Sequence, residues 1–178
     1  MNPVELLLKK INSADLWERN TSLNRNEFLK VQGSIDTNLY FVITGAFRVF
    51  ITEEYEEHTI RFGYKDNIIG ALDSFITDQP SDLHIQALKK SEVKSITKSV
   101  FMDFINADDE NVRIWQSILE GLVYQQMERE RDILTSSPLE RYKRVLKRSP
   151  QLFQEIPNKY IASYLRMTPE TLSRLKKS

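Results

Sequence analysis

"YIASYLRMTPETLSRLKK", residues 160–177, carries the marks of two short helices with a tight break between them. Ile161, Ala162 and Leu165 make an apolar face on the first helix, and Met167 falls in the break. Thr168 is placed to cap the second helix with Pro169 at its first position. A hydroxyl there accepts from an orphan N–H, and proline lacks the N–H that a first turn leaves unused. Leu172 and Leu175, three residues apart, face inward, so Pro169, Glu170, Thr171, Ser173, Arg174 and Lys177 face outward. Small Ala162 lets the second helix cross the first closely. This spacing predicts a helix-turn-helix, a motif whose second helix enters the DNA major groove with its N-terminal residues at the base edges.

The charge of the chain supports that reading. Lys and Arg number 25 and Asp and Glu 25, so the formal net charge is zero. Yet residues 138–178 hold ten Lys or Arg against Glu140, Glu155 and Glu170, which leaves this tail at +7 and the remainder at −7. Such asymmetry fits a polyanion-binding end on a body that does not bind.

Upstream, "ADDENVRIWQSILEGLVYQQMERERDIL", residues 107–134, reads as one long helix with acids in its first turn, where the helix dipole favours them. Val112, Trp115, Leu119, Leu122, Gln126, Arg129 and Ile133 recur at alternating spacings of three and four, the pattern of a two-helix seam. Gln126 and Arg129 suit a partner-facing stripe better than a core, so the seam predicts a homodimer. Ser137 and Pro138 then start a new helix after a break. From Phe28 to Ile96 short β-prone runs alternate with turn signals, which predicts a small antiparallel barrel or sandwich. "LYFVITGAFRVFI", residues 39–51, reads as two strands joined at Thr44 and Gly45, where glycine supplies a positive φ. Residues 3–19 have apolar positions spaced for a helix, and "SVFMDFI" at 99–105 for a short one. The expected class is α+β, divided as a β-roll over 1–107, a dimerisation helix over 108–134 and a helix-turn-helix segment over 135–178.

Several chemistries lack their residues. With no cysteine there is neither disulfide nor thiolate chemistry, and no iron–sulfur cluster. His58 and His84 are single and far apart, and no His, Asp and Glu cluster has metal-ligand spacing. Glu53, Glu54, Glu56 and Glu57 read as a solvated hairpin loop, without the spaced ligands and glycine of a calcium loop. Phosphate loops, nucleophile elbows and paired catalytic carboxylates are missing, so no enzyme is expected. No run approaches about 18 apolar residues and the N-terminus has no cleavage-site pattern, so neither a membrane span nor a signal peptide is expected, and the cytoplasm is the expected compartment.

The final stretch resembles the DNA-binding helices of the cyclic-AMP receptor/FNR (Crp/Fnr) superfamily of bacterial transcription regulators. Ile161-Ala162, Leu165, Thr168, Glu170-Thr171, Leu172 and Ser173-Arg174 stand in that family's order. The β-roll with "NLYFVITGAFRVF", the long helix and the helical end follow the same order, so the resemblance covers essentially the whole chain. It implies double-stranded DNA and a second copy of the chain as partners, with RNA polymerase as a further one. It implies DNA contacts from Thr168, Pro169, Glu170, Thr171, Ser173, Arg174, Lys176 and Lys177, with Arg174 reaching guanine. Arg166 replaces the family's turn glycine, and a positive φ there costs on the order of 1 kcal/mol. Many members run on beyond the second helix, so residues 135–178 are read as a truncated or a minimal version of their DNA-binding domain.

In nucleotide-binding members a Gly-Glu pair takes the ribose and an Arg, followed by Ser or Thr, takes the phosphate. The corresponding residues here are Ile69, Gly70, Ala71 and Leu72, then Ser81 and Asp82. The Arg is gone and a carboxylate stands where a phosphate would approach, which is costly. These six residues are the expected effector pocket, and neither cyclic AMP nor any cofactor is expected in it; the effector itself is unnamed by the sequence. The rival reading is a small-molecule-binding or protein-interaction module whose helix-turn-helix is vestigial.

Overall fold

A computed structural model describes residues 2–177; residues 1 and 178, which open and close the expected segments, lie outside the described residues. Helix α1 (Pro3–Ser13) starts on an Asn2 cap and buries Leu7, Leu8 and Ile11. Eight strands with one short helix follow: β1 (Arg19–Leu23), β2 (Phe28–Lys30), β3 (Leu39–Thr44), β4 (Ala46–Glu53), β5 (Glu56–Tyr64), β6 (Ile68–Ile69), α2 (Leu72–Thr77), β7 (His84–Ala87) and β8 (Ser91–Ile96). The rest is helical: α3 (Lys98–Asn106), α4 (Asp109–Leu134), α5 (Pro138–Arg148), α6 (Leu152–Glu155), α7 (Asn158–Tyr164) and α8 (Pro169–Leu175). The class is α+β.

The strands form two antiparallel sheets, β1-β8-β3-β6 and β2-β7-β4-β5. Their inner faces meet through Leu23, Val42, Phe47, Val49, Ile85 and Val93. A second core joins α1, α3 and α4 to the first sheet, with Trp115 edge-on to Phe101 at 5.0 Å. A third core sets the C-terminal helices on Ala46 and Leu88 of the roll.

Two sequence expectations change. The helix expected over 3–19 ends at Ser13: Asp15 takes a φ of 50°, Trp17 turns back to donate to Asn12 Oδ1 at 2.6 Å, and Arg19–Leu23 becomes an edge strand on β8. That strand is polar and mostly exposed, so it carries no apolar alternation to betray it. Strands β3 and β4 are consecutive but do not pair. Gly45, at φ 95°, is a corner at which the chain passes from one sheet to the other. The paired hairpin is β4–β5, closed through Glu54 and Tyr55 within the acidic loop.

The C-terminal helices are tied to α4 by charge. Asp132 is fully buried near the end of α4 and accepts from Arg144 Nε at 2.9 Å and from Arg148 Nη2, both on α5. Arg141, also on α5, donates to four backbone carbonyls: Thr135 and Ser136 in the α4–α5 link, Leu165 and Arg166 in the break between α7 and α8. One planar cation thereby fixes both ends of the segment, a task suited to the five-donor fork of arginine and not to a lysine point charge.

Two predictions follow from these contacts. A Cβ on Gly45 would lie 2.0 Å from Ser91 Oγ, whereas one on Gly33, also at positive φ, meets nothing within 4 Å. Gly33→Ala should therefore lose about 1 kcal/mol in urea unfolding, and Gly45→Ala about 2–5 kcal/mol, since overpacking adds to the left-handed strain. Arg141→Lys should cost about 2 kcal/mol and speed amide exchange in α7 and α8 while leaving the roll protected.

Candidate nucleic-acid interface and effector cavity

Helices α7 and α8 cross through the fully buried Ile161, Ala162, Leu165 and Leu172. The break is made as the residues dictate. Arg166 adopts a φ of 52°, Met167 N–H donates back to Ala162 at 3.0 Å, and Thr168 Oγ1 accepts from Thr171 N–H at 3.2 Å. The strained Arg166 is held by its own carbonyl, one of the four that Arg141 engages.

Five of the eight expected DNA-contacting residues, Pro169, Glu170, Ser173, Arg174 and Lys177, line one open surface groove. The Arg174 and Lys177 side chains make no hydrogen bond or ion pair among the described residues. Thr168 and Thr171 serve the cap and bond each other at 3.2 Å. Lys176 departs from expectation: its ammonium donates to Asn158 Oδ1 at 2.8 Å and lies 5.7 Å from the Phe153 ring, so it braces α8 on α6 and α7.

Helix α7 rests on the second sheet. Ser163 Oγ accepts from Thr59 N–H at 3.3 Å, Tyr160 covers the guanidinium of Arg48, and Tyr164 meets Phe62. Arg48 is itself buried in the sheet, donating to Gln86 and Glu57. No isolated feature of these strand residues marks them in the sequence as seats for the helix.

The expected seam on α4 needs correction. Val112, Trp115 and Leu122 pack on the core that α4 shares with α1 and α3, beside the buried Ile114 and Ile118. Arg129 is 6% exposed and stacks on the Tyr164 ring at 3.8 Å. Leu119 is half-buried, and only Gln126 and Ile133 are exposed. The outward row is Gln116, Glu120, Val123, Met127, Glu130 and Leu134, the expected seam moved by one residue. Its members from Gln116 to Met127 form, with Leu119 and Tyr124, an open groove in which Val123, Tyr124 and Met127 are each about three-fifths exposed (62%, 63% and 58%). One residue is a rotation of about 100° on a helix, which is enough to exchange an inner face for an outer one.

A cavity of about 510 Å³ lies between the roll, α4 and the C-terminal helices. Of the expected effector residues, Ile69, Gly70 and Leu72 line it. Ala71, Ser81 and Asp82 do not line it. Ala71 is fully buried at the start of α2. Ser81 caps Leu83 N–H with its hydroxyl and gives its carbonyl to Lys30 Nζ and Gly33 N–H. Asp82, beside it, is exposed. Lys30 is buried and donates to the carbonyls of Val31, Ser81 and Leu83, which pins the 78–83 loop on β2; burial lowers its pKa below the ordinary lysine value.

The remaining wall was not anticipated from sequence. Val49 and Arg61 enter from β4 and β5, Gln125 from α4, Arg148 and Ser149 from the end of α5, and Tyr164 from α7. A register shift between Val49 and Phe50 leaves Ile60 unpaired opposite them. Such a bulge re-aims its neighbours, here Arg61 and Thr59. A smaller adjoining cavity of about 90 Å³ shares Arg61, Gln125 and Tyr164 and adds Arg129. Burial pushes the guanidinium pKa down at both Arg61 and Arg129. An arginine inside an apolar seam pattern is the one sequence signal that pointed toward Arg129. Among the described residues, no group of three or more His, Cys, Asp or Glu is placed to hold a metal ion, and no helix is long and apolar enough to cross a membrane.

Comparison with known proteins agrees with this geometry. The family model described as "Cyclic nucleotide-binding domain" matches residues 20–108, half of the chain. FixK2 from Bradyrhizobium japonicum aligns with a TM-score of 0.74 at 17% identity, over 89% of this chain and 82% of that one. A CooA variant from Carboxydothermus hydrogenoformans gives 0.76 at 15% identity, over 96% and 82%. The catabolite activator protein of Thermus thermophilus gives 0.58 at 18% identity, over 98% and 81%. No curated protein matches the sequence. Identities this low carry the fold alone. The chain belongs to the cyclic nucleotide-binding domain family, and it shares its fold with these three structures.

Proposed function

We propose that this protein is a homodimeric, cytoplasmic transcription regulator that reads a palindromic operator and does not respond to cyclic AMP. The observation that carries the reading is the free cationic edge of α8. The Arg174 and Lys177 side chains have no hydrogen bond or ion pair among the described residues and line an open groove, on a helix pair whose turn is braced by Arg141 and whose interior is fully buried. Arg174 reads a guanine through its bidentate fork, and Glu170 accepts from a cytosine amino group. Lys177 and Ser173 hold phosphate. The excess of cations in residues 138–178 supplies the salt-dependent attraction to the duplex.

The second copy lies on the outward row of α4. Its spacing of four and three, apolar at Val123, Met127 and Leu134, matches a two-helix seam, and none of the described residues covers the groove. Two-fold symmetry then sets the α8 helices in successive major grooves, about 10 base pairs apart. The insensitivity to cyclic AMP rests on Ala71, Ser81 and Asp82. None of the three faces the cavity, and none carries a cation for a phosphate.

The test of DNA reading is a random-library selection with the purified protein, with and without cyclic AMP. The same palindromic motif is expected in both arms. Arg174→Ala should cost about 1–3 kcal/mol on that motif and relax one base pair per half-site. A selection that returns no palindrome favours instead a binding module with a vestigial helix-turn-helix.

The test of the seam is a pair of neighbours. Val123→Glu should give monomers by sedimentation with the fold intact. Leu122→Glu should cost the fold about 3 kcal/mol or more, because it puts a charge into the core. Wild-type protein that sediments as a monomer would rule out the outward row as an interface.

A further inference from the structure

A row of rings crosses the outer face of the second sheet, from α7 to the edge strand β2. The Tyr160 ring of α7 lies 4.6 Å from the Arg48 guanidinium, which in turn sits 3.8 Å over the Phe50 ring. His84 of β7 stacks on Phe50, with centroids 4.8 Å apart and planes at 16°. Phe28 of β2, 5.7 Å from His84, ends the row. Strand register sets this order. Phe50 pairs with His84 and Arg48 with Gln86, and residues two apart on a strand share a face. The Nδ1 of His84 accepts from Gln32 N–H at 3.4 Å. An accepting Nδ1 is the bare nitrogen of a neutral ring, whose proton is on Nε2.

The charges that face this imidazole come from three strands: Lys30 from β2, Arg48 from β4 and Glu57 from β5. Lys30 bonds three carbonyls at once, which takes all three ammonium protons. Glu57 pairs with Arg48 at 2.6 Å. Helix α7 contributes the phenol ring of Tyr160, and Asp82, two residues before His84, is exposed. Burial and Lys30 hold the imidazole below the ordinary histidine range; Arg48 adds to them and Glu57 opposes them. A proton on Nδ1 would set one N–H against another at Gln32. The attraction of a cation for an aromatic face does not compensate, because Arg48 already holds the Phe50 ring. The two sides are unequally fixed. Arg48 is anchored by bonds to Gln86 at 2.9 and 2.7 Å besides its pair with Glu57, whereas Gln32 is tied by one long bond. The Gln32 side yields first.

We propose that His84 is a proton-sensitive latch: neutral, it holds residues 32–35 as a strap on the 78–83 loop, and protonated, it releases them. The strap is laced to that loop by Gly33 N–H on the Ser81 carbonyl at 2.9 Å and Ser81 N–H on the Ser34 carbonyl at 3.2 Å. Its ends stay fixed. Lys30 grips the Val31 carbonyl at one end, and at the other Asp36 N–H donates to Ser74 Oγ at 3.0 Å. Between them Gly33 has open space around its Cα, so nothing packed resists the movement. With the strap open, water reaches His84, which then takes a proton at the ordinary value of about 6.5. Closure is therefore at full strength above about pH 6.5 and weakens as the pH falls toward the lower value of the closed form. Below that value the closed form is protonated too and the loss stops. The latch is independent of whether α8 binds DNA.

Nuclear magnetic resonance on the whole chain, from about pH 7.5 down to about pH 5, tests the latch. The His84 ring should titrate with a midpoint below about 6.5. Over the same range the protection of the Gly33 and Ser81 amides, corrected for the intrinsic pH dependence of exchange, should fall about three- to tenfold. One proton changes an opening equilibrium by at most about tenfold per pH unit. The amides of β4 and of Leu165 at the end of α7 should keep their protection, because Arg48 stays anchored. His84→Gln, neutral at every pH and still an acceptor, should make the protection of Gly33 and Ser81 independent of pH. His84→Phe keeps a ring on Phe50 without titrating and serves if the glutamine variant does not fold. His58→Gln, which removes the only other histidine, should retain the wild-type response. A His84 midpoint at or above about 6.5 would overturn the proposal. So would the same fall in both His84 variants, loss of the response in His58→Gln, or a fall shared equally by β4 and α7.

Discussion

Asp132, fully buried between Arg144 and Arg148, determines how the last forty residues sit on the rest of the chain. Such a cluster adds little net stability, since desolvating three charges offsets most of their attraction. Losing one partner is a different matter and costs about 3–5 kcal/mol, because the others stay buried and unmatched. The cluster therefore acts as a selector of geometry. Among all the angles α5 could make with α4, only those that bring both arginines to one carboxylate are tolerated. Arg141, a turn from Arg144 on the same helix, then carries that angle to the break between α7 and α8 through its four carbonyls. The orientation of Arg174 thus depends on a carboxylate at the far end of α4.

Much of this architecture was legible in the sequence where local chemistry leaves one answer. Thr168 and Pro169 announce a helix start, Ser137 and Pro138 another, and the structure caps both as the residues require. Arg166 stands at positive φ because the crossing of two apolar faces demands a tight turn there, whatever residue occupies it. The strands were legible as strands, but not their partners. Gly45 reads equally well as a hairpin turn and as a corner between sheets, and only the cost of a Cβ against Ser91 tells which.

The long helix shows a different limit. An alternation of three and four recurs from any starting residue on a helix with two apolar stripes, and α4 has two: one packed on α1 and α3, the other open. The aromatic Trp115 and the run of leucines drew the seam to the inner stripe. The outer stripe, diluted by Gln116, Glu120 and Glu130, has the weaker apolar signal. That dilution is what an exposed face would need before it meets a partner, whereas the inner face, never seeing water, needs none.

The cavity was the least legible part, for a physical reason. Its arginines come from β5, α4 and α5, far apart in sequence, and each alone looks like a solvated surface cation. Their significance lies in the balance of charge at one place. Asp132 and Glu128 account for Arg144 and Arg148, Arg129 reaches the Thr59 carbonyl and the Tyr164 ring, and the Arg61 side chain has no hydrogen bond or ion pair among the described residues. The phosphate-binding arginine of nucleotide-binding relatives is absent from the 78–83 loop, which Lys30 pins shut through backbone carbonyls. Positive charge has not left the domain, however. It stands on the wall that the roll shares with α5 and α7, where Arg61 and Arg148 line the larger cavity beside Tyr164.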